Sequence, residues 1–343
     1  MSEIMVVAEI GCNHNGDVNL ARKMMKIAKE SGASAVKFQS FVPEKLVTRN
    51  APKAKYQIEK SGNGNQLNML KKLALSKEEY KSLISYAKEL DIEIFSTAFD
   101  MDSIEFLSEL GQSIWKIPSG EITNLPYLRS IAEIKCNQKK IILSTGMSTL
   151  EEVKDAVEIL DKSENTEFTV LHCNTQYPTE DSDMNILAIN ELKASFPKWK
   201  VGLSDHSEGI VAALVSVGMG ACFIEKHFTL DKEMEGPDHK ASITPNELKR
   251  LCYEIHRAEV MLGTGIKAVT KSEEDNRKIA RKSIVASRNI KKGEILTEEN
   301  LTCKRPGTGI NPMKWDSVLG KTAEMDFSVD ELIICKGIEW EYE

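Results

Sequence analysis

The chain has 343 residues, of which 41% are hydrophobic and 28% are charged, so it fits one large folded domain with a small appendage and is neither disordered nor fibrous. Its formal net charge of -7 gives no basic surface for nucleic acid, and no apolar run is long enough to span a membrane. Seven dispersed cysteines without a C-x-x-C pair, and a start without signal-peptide features, predict a cytoplasmic protein with reduced thiols.

Short apolar or β-branched runs alternate with amphipathic helical stretches through the first three quarters of the chain. Eight runs are predicted to be strands, over residues 5–9, 35–39, 93–97, 114–118, 140–144, 168–172, 200–204 and 222–226. Predicted helices between and after them cover residues 20–30, 77–90, 150–160, 208–217 and 246–262. This alternation predicts an α/β protein with a (β/α)8 TIM barrel over residues 1–265. An open doubly wound sheet is disfavoured because no G-x-G-x-x-G follows the first strand.

Residues 41–66 interrupt the alternation after the second predicted strand. The segment is polar and contains Pro43, Pro52, Gly62 and Gly64. Such a composition is typical of an extended loop, and its place in the chain predicts that it lies over the barrel mouth. We expect that it could serve as a lid.

The alternation of predicted strands and helices ends after Gly265. Residues 266–282 are strongly charged and are predicted to be a linker. Short strand-like runs at 283–286, 294–296 and 332–335 predict a small domain over residues 283–343. A domain of about 60 residues buries a limited core, so we expect it to pack against a partner surface.

Each predicted strand ends beside a polar side chain, and in a barrel of this kind the active site lies at the carboxyl ends of the strands. In chain order these polar positions are Glu9, Lys37, Gln39, Thr97, Lys116, Ser119, Ser144, the segment 172–177, Ser204, His206, Glu225 and His227. Side-chain alternation places Lys37 with Gln39, and Glu225 with His227, on one face of a strand. We therefore expect the polar positions to converge on one site.

Two histidines, His206 and His227, follow the seventh and eighth predicted strands, which are neighbours in a closed barrel. Glu9 ends the first strand, which closes onto the eighth. Two imidazoles with open coordination positions are typical of a catalytic Mn2+, Fe2+ or Zn2+ ion. A single histidine at a strand end is as readily a hydrogen-bonded core residue, but two beside a carboxylate favour a metal site.

A second group of polar residues combines lysines and hydroxyl groups from the second to the fifth strand. It consists of Lys37, Thr97, Lys116, Ser119 and Ser144. Charge-assisted hydrogen bonds from such an arc would hold a phosphate group. The alternative is that the lysines form solvated ion pairs with Asp100 or Glu121. Cys173 is interpreted as a packing residue rather than a nucleophile.

These motifs closely resemble the bacterial sialic-acid synthase family, which includes N-acetylneuraminate, legionaminate and pseudaminate synthases. The barrel region carries AEIGCNHNG (8–16), VKFQ (36–39), FST (95–97), KIPSGE (116–121), LSTGM (143–147), GLSDH (202–206), IEKHF (224–228) and GPD (236–238). The C-terminal region carries IKKGE (290–294), KRPG (304–307) and LGK (319–321), which resemble the antifreeze-like (SAF, β-clip) domain of the family. The resemblance thus spans nearly the whole chain.

The resemblance implies a condensation of phosphoenolpyruvate with an N-acylated amino sugar. It implies that His206 and His227 bind a divalent metal, Mn2+ with Mg2+ or Co2+ as alternatives, and that Glu9 and Glu225 complete the catalytic group. Phosphoenolpyruvate would contact Lys37, Thr97, Lys116, Ser119, Ser144 and Ser204. The sugar would contact Gln39, Thr175, Tyr177, Asp238 and Arg305, with Arg305 supplied by the partner in a domain-swapped homodimer.

The acceptor sugar is indicated by one departure from the family pattern. Thr175 stands in HCNTQY (172–177), where N-acetylneuraminate synthases commonly have Asn. The stretches PSGEITNLP (118–126) and GPDHKAS (236–242) also resemble the legionaminate branch. We therefore expect a legionaminate synthase that uses 2,4-diacetamido-2,4,6-trideoxymannose, with an N-acetylneuraminate synthase that uses N-acetylmannosamine as the alternative.

Two other classes of protein remain as alternatives. One is another metal-dependent barrel enzyme, such as an aldolase or a phosphate-sugar isomerase, which would act without phosphoenolpyruvate. The other is a sugar-binding or scaffold protein with a decayed barrel. The presence of Glu9, Lys37, His206 and His227 argues against decay, because buried polar residues are costly to keep.

Overall fold

The structure, a computed structural model, describes residues 4–53 and 65–340. The chain divides into two compact units, residues 1–263 and residues 264–343. None of the described helices is both long enough and apolar enough to cross a lipid bilayer. All of the cysteines are free thiols.

The first unit is built around an eight-stranded parallel sheet. Its strands are β1 Met5–Gly11, β2 Ala35–Ser40, β3 Glu93–Ala98, β4 Ile114–Ile117, β5 Lys139–Ser144, β6 Thr166–Cys173, β7 Lys200–Asp205 and β8 Phe223–His227. Their order along the sheet is β3-β2-β1-β8-β7-β6-β5-β4, and β3 lies against β4, so the sheet curls into a barrel. The predicted (β/α)8 barrel is confirmed, because each predicted strand overlaps an observed one.

Helices surround the barrel and follow the strands. The longer ones are Val18–Glu30, Lys77–Leu90, Met101–Glu109, Leu125–Glu133, Leu150–Leu160, Ala188–Ser195, Val211–Gly218 and Pro245–Leu262. The helix predicted over residues 208–217 begins later, at Val211, because Gly209 has a φ of 68°. That left-handed conformation cannot be part of a right-handed helix.

Side-chain alternation along the strands creates two apolar layers. Val6 and Ala8 of β1 belong to the main core between the strands and the helices. The layer inside the barrel is formed by Val7, Ala35, Phe95, Ile114, Ile142, Leu171 and Phe223. This inner layer fills the barrel below its mouth and lies directly beneath the polar residues at the strand ends.

The segment predicted as an extended loop, residues 41–66, is partly helical. A short helix, Pro43–Leu46, follows Phe41, and a further helix, Gln66–Leu73, begins at the end of the segment. Pro43 favours the first turn because its φ is already helical, and the Asn65 side chain caps the second helix by accepting from Asn68 N–H. The part of the loop prediction that falls on residues 54–64 lies outside the described residues.

The second unit begins with the segment predicted as a linker, residues 266–282. It contains a 3-10 turn, Lys271–Glu273, and a helix, Glu274–Ala280. The linker prediction did not include these helical turns. Thr270 and Glu273 form a capping box that starts these turns, a signal that the high charge of the segment obscured.

Two antiparallel strands, β9 Ser283–Ala286 and β10 Leu301–Lys304, form the sheet of the second unit. The strand β9 was predicted, whereas β10 was missed because LTCK contains one β-branched residue and no clear alternation. The runs predicted as strands at 294–296 and 332–335 make isolated bridges instead. The unit also contains a short helix, Trp315–Val318. Its separate apolar core includes Ile284, Ile290, Leu296, Phe327 and Ile333.

Candidate active site

Most of the predicted site residues line one cavity of about 520 Å³ at the barrel mouth. These residues are Glu9, Lys37, Gln39, Lys116, Ser119, Ser144, Thr175, Tyr177, Ser204, His206, Glu225 and His227. They lie at the carboxyl ends of the strands or in the loops that follow them. A cavity of this volume is suited to small molecules.

Each strand positions its site residues by alternation above the apolar layer. On β1, Val7 is followed two residues later by Glu9, and on β4, Ile114 is followed by Lys116. On β8, Phe223 is followed at the same spacing by Glu225 and His227. Because residues at a spacing of two share a face, the strands that bury an apolar floor also direct these polar groups into the cavity.

Two lysines and two glutamates form a buried ionic centre. Lys37 Nζ lies 3.0 Å from Glu9 Oε2 and 3.5 Å from Glu225 Oε1. Lys116 Nζ lies 3.3 Å from the same Glu225 oxygen. No side chain of the four is more than 5% exposed, so these are not the solvated surface pairs considered from the sequence.

The carboxylates considered as surface partners of the lysines have other roles. Asp100 caps the helix Met101–Glu109 by accepting from Ser103 N–H at 2.9 Å. Glu121 is half-buried and accepts a hydrogen bond from Asn124.

Burial and neighbouring charges shift the pKa values of the ionic centre in opposite directions. Burial, with help from Glu225, raises the pKa of Glu9 to about 7 against the opposing effect of Lys37. Burial would also raise the pKa of Glu225, but Lys116 and Lys37 together lower it to about 2. Burial lowers the pKa of Lys116, whereas Glu225 and Glu9 raise that of Lys37 in spite of burial. Near neutral pH, Glu225 is therefore ionised while Glu9 is close to its titration point.

His206 and His227 lie beside each other, with ring centroids 5.3 Å apart. His206 Nδ1 donates to the carbonyl of Asn174, so its Nε2 carries the lone pair and lies 3.1 Å from the Tyr177 hydroxyl. His227 Nδ1 is buried without a hydrogen-bond partner among the described residues. Burial and the nearby His206 hold the pKa of His227 well below its usual value. His227 thus offers a nitrogen lone pair, and His206 offers one in its neutral form, although the nearby Cys173 raises the pKa of His206 against the effect of burial.

Gln39 is held on both sides of its amide. Its Nε2 donates to Glu9 Oε1 at 3.0 Å, and Cys12 Sγ donates to its Oε1 at 3.3 Å. The thiol contact fixes which end of the amide faces Glu9, because Oε1 is already occupied as an acceptor. Glu9 is consequently contacted by Gln39 through one carboxylate oxygen and by Lys37 through the other.

Comparison with known proteins assigns the chain to a family. The NeuB family model matches residues 24–267, and the SAF domain model matches residues 281–334. The chain belongs to the NeuB family. This confirms the resemblance found in the motifs and the predicted combination of a barrel with a C-terminal SAF domain.

Individual relatives match over most or nearly all of the chain. The chain is 50% identical to N,N'-diacetyllegionaminic acid synthase of Campylobacter jejuni, over 97% of this chain and 99% of that protein. It is 43% identical to the protein of the same name from Legionella pneumophila, over 97% and 94% of the two chains. A crystal structure of N-acetylneuraminic acid (sialic acid) synthetase from Leptospira borgpetersenii, in complex with citrate, matches with a TM-score of 0.72 and 34% identity, over 80% of this chain and 90% of that one.

Three predicted site residues of this NeuB-family chain lie outside the lining of the cavity. Thr97 is buried behind Lys37, whose Nζ donates to Thr97 Oγ1 at 3.2 Å. Asp238 Oδ2 lies 4.0 Å from His227 Nδ1, and burial raises the pKa of Asp238 to about 6. Arg305 belongs to the second unit, where its Nε donates to the carbonyl of Ala280 at 2.9 Å.

Several residues that line the cavity were not predicted as site residues. They are Gln66, Phe99, Pro118, Gly120, Met147 and Cys173. Phe99 comes directly after the end of β3, so its place at the carboxyl end of a strand could have identified it. Met147 and Gln66 come from outside the strands, where no local pattern predicts the path of the chain. Cys173 Sγ lies 3.8 Å from His206 Nδ1 and therefore contacts one ring of the imidazole pair.

The described residues contain no group of three or more His, Cys, Asp or Glu side chains arranged to hold a metal ion. Among the described residues that line this cavity, the imidazole nitrogens that could bind a metal belong to His206 and His227.

Proposed function

We propose that this protein condenses phosphoenolpyruvate with 2,4-diacetamido-2,4,6-trideoxymannose to give N,N'-diacetyllegionaminate and phosphate. The observation that carries the proposal is the buried centre in which Lys37 and Lys116 share Glu225 at the barrel mouth. It offers two ammonium groups to an anionic substrate in a chain whose net charge is -7. The choice of acceptor follows the names of the two legionaminic acid synthases that match both units.

The ionic centre is suited to hold the phosphate and carboxylate of phosphoenolpyruvate. Ser144 Oγ is buried and has no hydrogen-bond partner in the described part of the chain, so it is available to an incoming oxygen. Ser204 Oγ donates to Glu225 at 3.2 Å and could exchange that partner for the substrate. We propose that phosphoenolpyruvate is bound by Lys37, Lys116, Ser119, Ser144 and Ser204, and that Thr97 holds Lys37 in place.

We also propose that His206 and His227 would bind a divalent metal ion, Mn2+ with Mg2+ or Co2+ as alternatives. The fit is supported by the unpartnered Nδ1 of His227 and by His206 Nε2, because imidazole binds metals through a neutral nitrogen. Two protein ligands would leave coordination positions for water and for the sugar. A metal bound there would polarise the sugar aldehyde as a Lewis acid.

The residues of the chain then hold the phosphate and move the protons. Carbon 3 of phosphoenolpyruvate bonds to the aldehyde carbon, and Lys37 and Lys116 hold the phosphate beside the cationic carbon 2. Water adds to carbon 2 and gives its proton to Glu9, whose pKa of about 7 suits a base near neutral pH. A proton returns to the new alkoxide, and the tetrahedral intermediate expels phosphate to leave the 2-keto acid.

Release of phosphate from phosphoenolpyruvate tests this reaction. It is measured with a panel of N-acylated mannosamine derivatives, with MnCl2 and again with a chelator. The proposal requires phosphate release that depends on both the acceptor and the metal. Sugar cleavage or isomerisation without phosphoenolpyruvate would instead favour an aldolase or isomerase. Absence of phosphate release with every sugar of the panel would contradict the synthase.

Thr175 carries the prediction about the acceptor. It lines the cavity, and its methyl group packs so closely on Gly146 that a Cβ there would lie 2.6 Å from it. The Thr175 side chain is shorter and less polar than the Asn side chain common in N-acetylneuraminate synthases. It therefore favours a sugar that carries a methyl group and a second acetamido group. We expect kcat/KM for 2,4-diacetamido-2,4,6-trideoxymannose to exceed that for N-acetylmannosamine by about 10².

The matched control for the acceptor is Thr175→Asn, which should narrow this ratio by restoring a polar wall. A clear preference of the wild-type protein for N-acetylmannosamine would make it an N-acetylneuraminate synthase instead.

We further propose a domain-swapped homodimer in which Arg305 reaches the sugar in the partner's barrel. The exposed position of Arg305 in the small second unit is compatible with such a role. Arg305→Ala and His206→Ala subunits should each be inactive, but a mixed dimer would contain one complete site. After random mixing, about half of the dimers are mixed, and each of these has one complete site out of two. About one quarter of the wild-type activity should then be restored. Mixtures that stay inactive after subunit exchange would place Arg305 within its own subunit or outside the site.

A further inference from the structure

A buried ion pair lies on the two strands that lead to the imidazoles. Lys226 Nζ donates to Asp205 Oδ2 at 2.8 Å, and both side chains are 0% exposed. Asp205 directly precedes His206, and Lys226 directly precedes His227. Because successive side chains along a strand point to opposite faces, the pair lies on the outer face of the barrel while the imidazoles point into the cavity.

This pair is the last cross-link between β7 and β8 before the imidazoles. Ser204 is in register with Glu225 and Asp205 with Lys226, and the strand pairing ends at that position. His206 therefore lies one residue beyond the paired part of β7. Backbone pairing by itself leaves its separation from His227 unfixed.

The ion pair also fixes the residue on the other side of His206. Asp205 Oδ1 accepts from the N–H of Ser207 at 2.9 Å and from its hydroxyl at 2.7 Å. Lys226 Nζ donates to the Ser207 carbonyl at 2.6 Å. The carbonyl of His206 in turn accepts from Thr179 N–H at 2.9 Å. Both chain neighbours of His206 are thus bound to the ammonium group of Lys226.

Stability alone does not account for such a pair. Two fully buried charges lose their hydration, and uncharged side chains of similar volume often give an equally stable or more stable fold. What the pair supplies is one defined geometry, since its hydrogen bonds are satisfied in a single arrangement. Metal affinity depends on such geometry, because donor atoms must lie within a few tenths of an ångström of their ideal positions.

We propose that Asp205 and Lys226 are positioning residues that fix the separation of His206 and His227 and thereby set the affinity for the divalent metal. The inference depends on the metal site of the proposed function. It concerns metal binding itself, so it can be tested without substrate.

The test uses the full-length Asp205→Asn/Lys226→Met variant. It removes both charges together, which avoids an uncompensated buried ion, and Asn keeps an oxygen to accept from Ser207. MnCl2 is titrated into the protein and free Mn2+ is followed by electron paramagnetic resonance, while thermal unfolding is measured without metal. We expect the Kd for Mn2+ to rise by about 10- to 100-fold. The Tm should change by less than about 5 °C, because charge removal in pairs is tolerated.

Lys139→Met provides a matched control at the opposite end of the barrel. Lys139 is also buried, and its Nζ donates to the carbonyls of Ile131 and Ile134 at 2.6 and 2.8 Å. This variant should lower the Tm and leave the Kd for Mn2+ within about twofold of the wild-type value, because its site is remote from both imidazoles.

A milder variant, Asp205→Asn/Lys226→Gln, keeps an amide hydrogen bond between the strands and should show an intermediate Mn2+ affinity. It provides the same test if the first variant does not fold. Wild-type Mn2+ affinity in the folded double variants would overturn the positioning role while leaving the metal assignment intact. Absence of Mn2+ binding by the wild-type protein would overturn both.

Discussion

Replacement of His206 or His227 with alanine is expected to abolish Mn2+ binding and metal-dependent phosphate release from phosphoenolpyruvate. Each variant leaves one imidazole at the mouth of the described cavity, and no group of three or more ligating side chains is present among the described residues to compensate. The barrel should remain folded, because both rings lie above the apolar layer rather than within it. Activity is measured with MnCl2 and the trideoxy sugar, and binding by Mn2+ titration.

His172 is the matched control for these variants. It lies on β6 close to the strand end, but its Nε2 is hydrogen-bonded to the carbonyl of Met184 at 2.6 Å, and it does not line the cavity. His172→Ala should retain Mn2+ binding even if it loses some stability. Turnover that survives chelation in the His206 or His227 variant would refute the metal assignment.

Replacement of Lys116 with alanine is expected to lower kcat/KM for phosphoenolpyruvate by about 10² or more, the scale on which loss of one preorganised charged group acts. The Lys116 ammonium is buried and held 3.3 Å from Glu225 before any substrate arrives. Little reorganisation is therefore needed when phosphate binds. Lys37→Ala should show a loss of the same order, because Lys37 contacts the same Glu225 oxygen at 3.5 Å.

Lys200 supplies the comparison for the lysine variants. It starts β7 at the other end of the barrel and pairs with Glu167 at 2.9 Å, with both side chains 45% exposed. Lys200→Ala should change kcat/KM by less than about twofold, since exposed pairs contribute little. If Lys116→Ala stayed within a few-fold of wild type while folded, Lys116 would serve only to neutralise Glu225.

The barrel and its polar strand ends were predictable because their signals are local. An apolar residue followed at a spacing of two by a polar one, as in Val7 and Glu9 or Ile114 and Lys116, defines both the floor and the lining of the cavity. Where local signals were weak, individual elements were not predicted. The strand β10 has little alternation, and the charge of residues 266–282 concealed the helix Glu274–Ala280.

The sequence by itself determined that the barrel has eight strands, that polar groups lie at their ends, and that two histidines lie at the ends of neighbouring strands. The tertiary structure decided which groups meet. Lys116 and Glu225 are 109 positions apart in the chain, and their contact follows from closure of the sheet around the barrel axis. Closure of the barrel also brings Lys37 to the shared Glu225 oxygen and raises the pKa of Glu9. It likewise brings Asp205 next to Lys226 on the outer face. They depend on strand register and burial, which no local stretch of sequence specifies.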